Sequence, residues 1–188
     1  MKNLVTLFVS LLLISFSART QDFPTNEKGE VAYTNVIQLD GLSQKEIYEK
    51  SKLWVVSTLK SGDNMVELSG SNSNQIVGTG NLVLGEVDLE SMIWRIYNPA
   101  LNFKFIVSCK DDKLKYEISN ITYNYILSTG EHKEVVQTNL IEFKMNKHVK
   151  EKLKNKFKEK STVEIQTQIK RLIDDFVSTM KSSEKDDW

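Results

Sequence analysis

Cysteine is almost absent from this chain: Cys109 is the only one in 188 residues. No internal disulfide can form, so the fold has to be held by its core. Zinc-type spacing is excluded as well, because only His132 and His148 accompany that thiol. A Ser-His-Asp arrangement would have to recruit one of these two histidines, and neither lies in a recognisable motif. No Gly-Lys-Ser/Thr follows Gly78, Gly80 or Gly85, so there is no phosphate loop. Net charge is missing too. Lysine and arginine total 25 against 25 acidic residues, which gives no global attraction to nucleic acid. No apolar run reaches the roughly 20 residues that cross a bilayer.

What is present begins at the first residues. Lys2 precedes a charge-free, largely apolar stretch over 4–16, and Ser15, Ser17 and Ala18 close it. A basic start, about 13 apolar-type residues and a small-residue exit read as a secretory signal peptide over 1–20 rather than an anchor. Ser15 and Ser17 suit a cut after 17; Ala18 suits a cut after 18 or 20. No cysteine lies near these positions, so a lipoprotein is not expected. The expected product is periplasmic or extracellular, with no transmembrane segment after cleavage. Removing Lys2 and Arg19 brings it to a formal charge of about −2. Its length suits one domain over 21–183, with a frayed tail at 184–188.

Along the chain, residues 31–39 are β-branched and aromatic and read as a strand. A helix follows, from a Ser43/Glu46 capping box to Leu59, with Ile47, Ser51, Trp54, Val55 and Thr58 on one face and Leu59 flanking it. Four strands are then expected, at 65–68, 75–84, 103–109 and from 114 to 125. The second carries Ile76, Gly78, Gly80 and Leu82 on one face. Two glycines there imply a close, bulky neighbour, for which Trp54 is the candidate. In the last strand Leu114, Tyr116 and Ile118 are in phase, and Ile121, Tyr123 and Tyr125 take the opposite parity. Such a switch near Ser119-Asn120 is what a β-bulge produces. Residues 85–101 read as a long connection. After Gly130 the character changes, and two helices are expected from 144 onward. A lysine-rich one over 144–160 carries a stripe of Val149, Leu153 and Phe157. A final helix starts at a second capping box, Ser161/Glu164. Strand, helix, four strands and helix make an α+β layer with a curved antiparallel sheet and helices on one face.

Certain residues carry a resemblance. They are Phe23-Pro24 with Gly29 and Tyr33; Gly41-Leu42-Ser43 before Glu46-Ile47-Tyr48 and Trp54; Ile76-Val77-Gly78-Thr79-Gly80; and Lys110-Asp111-Asp112 leading to Tyr116 and Ile121-Thr122-Tyr123. In that order they resemble a family of secreted bacterial domains of unknown function with a TATA-binding-protein-like fold. The resemblance covers roughly 23–125, and the final helix fits the family's end. It implies the curved sheet with helices on one side and no catalytic residues. The long aromatic connection after Gly85 and the lysine-rich stretch depart from the pattern. The fold's name does not imply DNA binding, since fold does not fix function.

Cys109 shares the parity of Phe103, Phe105 and Val107, which points it into the core. Glu86, Asp88 and Glu90 read as a solvated acidic edge, and no cofactor or metal is expected. The eight lysines of 144–160 read as the solvated face of a helix. Asn120-Ile121-Thr122 spells a glycosylation acceptor, read as a chance match. Met92, Ile93, Trp94 and Tyr97 form an apolar cluster that is either a partner site or an extra strand packed on the sheet. The expected function is a non-enzymatic envelope module that binds a protein or glycan, not nucleic acid, through the sheet face away from the helices. The candidate contact residues are Thr79, Asn81, Lys104, Ile106 and Ser108, with Trp94 and Tyr97 from the aromatic connection. The alternative is a small-molecule or lipid carrier with a cavity between the sheet and the C-terminal helix.

Overall fold

A computed structural model describes residues 23–59, 67–68, 74–87, 89, 91, 93–129, 132–145 and 147–182. The expected signal peptide, helix stop at 61–63 and frayed tail, Met65 and Val66, most of the expected 70–74 turn, Asp88, Glu90 and Met92 lie outside them. Strand β1 (Tyr33–Gln38) leads to helix α1 (Gln44–Thr58). Then come β2 (Glu67–Leu68), β3 (Gln75–Val83), β4 (Trp94–Lys110), β5 (Lys113–Thr129), β6 (His132–Asn139) and helix α2 (Glu151–Lys181). All pairings are antiparallel, in the order β1-β5-β4-β3-β2, with β6 also on β5. β1 pairs with residues 113–118 and β6 with 122–129, so they lie end to end along one edge of β5.

The expected α+β architecture holds, with three differences. Trp94 to Leu101 is not a connection but the first half of the 17-residue β4. Its alternation is hidden by a bulge: between Tyr97 and Ala100 the strand spends three residues against two on β5. That moves the buried parity from Ile96 to Leu101. Asn98 sits in the bulge at φ 49°, a left-handed conformation that asparagine tolerates better than most residues. The bulge anticipated at Ser119-Asn120 is present on β5, with Asn120 at φ 52°.

The second difference is β6, in a stretch to which the sequence pattern assigned no element. Only Val136 and Thr138 of its eight residues are buried, so it lacks the apolar alternation that marks a strand. The third is that α2 is one helix of 31 residues, not two. Ser161 does not cap a second start. It is fully buried within the helix, with its Oγ 3.3 Å from the Tyr123 hydroxyl. A small hydroxyl there lets the helix close on the sheet.

Both helices cover the same face. α2 is about 46 Å long and buries Phe157, Ser161, Ile165, Ile169, Leu172, Phe176 and Met180. Near its start Phe157 packs against Tyr123, Tyr125 and Phe143. Near its end Phe176 meets Trp54, Phe105 and Tyr116, with the Trp54 ring centroid 4.7 Å away. The Trp54 indole N–H donates to Asp175 at 2.8 Å and ties the helices together. Trp54 therefore does not fill the glycine gap. A Cβ on Gly78 would meet Val55 Cγ1 at 3.0 Å and Leu59 Cδ1 at 3.3 Å; one on Gly80 would meet the Phe103 ring at 2.3 Å. Phe103, directly opposite on β4, lies across the bare glycine, a cross-strand aromatic–glycine packing.

The capping box of α1 is as expected: Ser43 accepts from the Glu46 N–H, and Glu46 accepts from the Ser43 N–H at 2.8 Å. A second clamp comes from the β4–β5 turn. Asp111 accepts from the Gln44 N–H and Asp112 from the Gly41 N–H, each at 2.7 Å. Carboxylates at a helix start satisfy free N–H groups and oppose the positive end of the dipole. The Lys110-Asp111-Asp112 motif thus locks the hairpin tip to α1.

Two stability outcomes follow. Asp111→Ala lowers unfolding free energy by about 1 kcal/mol in urea titration, since one helix-start donor loses its partner. Gly80→Ala costs roughly 1–3 kcal/mol, because the Phe103 ring must leave its seat.

Candidate functional site

The face opposite both helices is read directly from register, because side chains alternate along each strand. Ile76, Leu101, Phe103, Phe105, Val107, Tyr116, Ile118 and Tyr123 point to the helices and are buried. Their neighbours point the other way. On β3 these are Val77, Thr79, Asn81 and Val83; on β4, Ser108, Ile106, Lys104, Asn102, Ala100 and Tyr97. On β5 they are Lys115, Glu117, Ser119, Thr122, Asn124 and Ile126; on β6, Asn139, Gln137 and Val135.

Cross-strand pairing arranges these residues in rows. Thr79 faces Lys104, which faces Ser119. The next row is Asn81, Asn102, Thr122 and Asn139, and the one after it is Val83, Ala100, Asn124 and Gln137. Asn81 Nδ2 donates to Asn102 Oδ1 at 2.6 Å. The middle of the sheet therefore carries a band of uncharged amides and hydroxyls, each amide holding both donors and acceptors. Beyond it Tyr97, Ile126 and Val135 form an apolar row, with Val135 79% exposed.

Five candidate residues, Thr79, Asn81, Lys104, Ile106 and Ser108, lie together on this face, and Tyr97 joins them across the β4 bulge. Trp94 does not. It has the parity of Ile96, faces the helix side and packs partly buried against the core. The bulge between Tyr97 and Ala100 is not what divides them: Trp94 and Tyr97 both precede it and differ in parity along one strand. Asn102 follows from the alternation that selects Lys104, so its signal was present in the sequence. Thr122 and Asn124 follow only once the Asn120 bulge fixes the phase of β5. Gln137 and Asn139 require β6, which the sequence pattern did not announce.

The thiol and the phenols on the helix side are shifted by burial. Cys109 is fully buried, and burial pushes its thiol up to about 11, partly offset by a hydrogen bond with Ser51. A thiol held protonated is a poor nucleophile. Burial likewise raises Tyr33 and Tyr123 to about 12 and Tyr116 and Tyr125 upward. The Tyr125 hydroxyl donates to the Lys144 carbonyl at 2.5 Å. His132 opens β6 and is exposed, as is His148.

Residues 33–124 match a family model described as a domain of unknown function (DUF4468) with TBP-like fold. A TBP-like protein from Parabacteroides distasonis ATCC 8503 superposes with a TM-score of 0.61 at 17% identity, over 86% of this chain and 98% of that one. A DUF4468 family protein from Bacteroides ovatus ATCC 8483 gives 0.59 at 18% identity, over 87% of this chain and 92% of its own. At such identities the likeness shows the fold. No curated protein matches the chain.

The buried phenols set an alkaline limit. The unfolded chain releases these protons near pH 10, whereas the native protein holds those of Tyr33 and Tyr123 to about pH 12. Their folded values are raised, so their contribution to stability is complete below pH 10 and is lost as pH rises through 12. Absorbance at 295 nm and far-UV circular dichroism, followed together, should show late tyrosinate formation coinciding with unfolding. Tyrosinate forming in full near pH 10 with the fold intact would contradict it.

Proposed function

We propose, for a chain whose residues 33–124 belong to the DUF4468 family with its TBP-like fold, that it is a non-enzymatic binding module of the cell envelope. The signal-like first twenty residues support its export. The partner, a protein or glycan, lies along the open sheet face. The observation that carries this reading is the amide and hydroxyl band centred on Asn81, Asn102, Thr122 and Asn139. It occupies the middle of a sheet whose other face is sealed by two helices. A face of polar groups held on paired strands is pre-organised, so little side-chain or backbone ordering opposes binding.

The carrier reading is less well supported. The space between sheet and α2 is occupied by rings: Phe157, Tyr123, Tyr125 and Phe143 at one end, and Phe176, Trp54, Phe105 and Tyr116 at the other. A filled interface of this kind favours a platform over a lipid-holding cavity.

The test is binding of the purified protein to separately immobilised envelope proteins and envelope polysaccharides. Asn102→Trp places a bulky side chain in the band and should weaken capture by roughly tenfold or more. Val163→Asp, on the outer side of α2, should leave it unchanged. Equal loss in both variants, or none in Asn102→Trp, would refute the sheet-face reading.

A further inference from the structure

Charge is balanced over the chain but not over the open face. Six basic side chains take open-face positions in β4, β5 and β6: Arg95, Lys104, Lys110, Lys113, Lys115 and Lys133. In β1 and β3–β6 Glu117 is the one acidic residue at such a position, and no ion pair among the described residues joins it to these cations. A chain with 25 basic and 25 acidic residues therefore presents a cationic sheet face.

The cations are also spread lengthwise. Lys110, Lys113 and Lys115 stand at the β4–β5 turn, Lys104 near the middle, and Arg95 with Lys133 at the far end. From Lys110 to Arg95 the track is about 50 Å along the strands. Between Lys104 and Arg95 lie the neutral amides and hydroxyls of Asn102, Thr122 and Asn124. Resting on the sheet-face reading above, we propose that this face binds a linear acidic polysaccharide. Its carboxylate or sulfate groups meet the spaced cations, and its hydroxyls meet the amide band.

Three features favour that occupant over other polyanions. Amides offer donors and acceptors together, which matches sugar hydroxyls. Single-stranded nucleic acid needs stacking rings along its path, and Tyr97 is the only aromatic residue at the open-face positions of these strands. An anionic membrane surface attracts concentrated basic clusters beside inserted apolar side chains, whereas here the centre of the face is a neutral polar band.

The experiment is equilibrium binding of the purified protein to polygalacturonate, dextran sulfate, neutral dextran and single-stranded DNA at 20 and 300 mM salt. The expected result is binding to an acidic polysaccharide that weakens at high salt, with neutral dextran inert. Lys104→Gln combined with Lys115→Gln should reduce it roughly tenfold, while Lys152→Gln combined with Lys158→Gln, on α2, should not. Failure to bind either acidic polysaccharide at low salt overturns the proposal. So does DNA binding of equal strength and equal dependence on Lys104. If Asn102→Trp still abolishes capture of a neutral glycan or a protein, the sheet-face reading survives while the acidic ligand is refuted. If acidic polysaccharide binds but only the α2 variant weakens it, both fall.

Discussion

The alternation of side chains along β4 and β5, kept in phase across seventeen residues each, is the constraint on which the rest of the structure depends. A long twisted hairpin does not hold one face against a flat helical layer without correction. Two bulges supply it, one on each strand, and each carries an asparagine in the left-handed region. Each inserts one residue, so parity flips on one strand and the buried set resumes on the new phase. Leu114, Tyr116 and Ile118 before the β5 bulge, and Ile121, Tyr123 and Tyr125 after it, all face the helices. Without these insertions half of each strand would turn its apolar residues to solvent.

That continuous buried face lets one helix serve as the whole second layer. α2 runs from the β5–β6 half of the sheet, where Phe157 sits among Tyr123, Tyr125 and Phe143, to the half under α1, where Phe176 meets Trp54 and Phe105. α1 is fixed from outside itself as well: Asp111 accepts from its first N–H at Gln44, Asp112 holds Gly41 just before the cap, and its indole donates to Asp175 of α2. Hairpin, short helix and long helix are thereby tied pairwise. In the first half of α2 Lys152, Lys158 and Lys160 are exposed on the outer side of this layer, while Leu153 and Phe157, with Val149 just before the helix, pack on its inner side.

The same alternation that builds the core builds the functional candidate. Whatever one strand face contributes to packing, the other contributes to a broad, rigid surface with no loop in its middle. The two faces differ sharply in chemistry. The covered one is aromatic and aliphatic, and burial holds the phenols of Tyr33 and Tyr123 and the Cys109 thiol protonated. The open one combines amides, hydroxyls and cations with an apolar row of Tyr97, Ile126 and Val135. The solved structures with a similar fold are 17% and 18% identical to this chain, a likeness of topology that does not extend to the side chains of this face.

The sequence by itself determined the elements with strong local signals. Ser43 and Glu46 announced α1; the β-branched and aromatic alternation announced β1, β3 and the halves of β4 and β5 nearest the tip; the parity switch announced the Asn120 bulge. Thr79, Asn81, Lys104, Ile106 and Ser108 were legible as a shared face because period-two alternation needs no knowledge of partners. The tertiary structure decided the rest. β6 is a strand only because β5 offers it an edge, since its own residues are too polar to declare one. Ser161 lies mid-helix because Tyr123 and the sheet need a small buried hydroxyl there, although its spacing to Glu164 imitates a cap. Trp94 and Tyr97, neighbours in an aromatic cluster, are sent to opposite faces by strand pairing. The grouping of six cations on one face of a chain without net charge exists only in register. Charge along a sequence sums to nothing here, whereas charge across paired strands depends on which residues stand opposite one another.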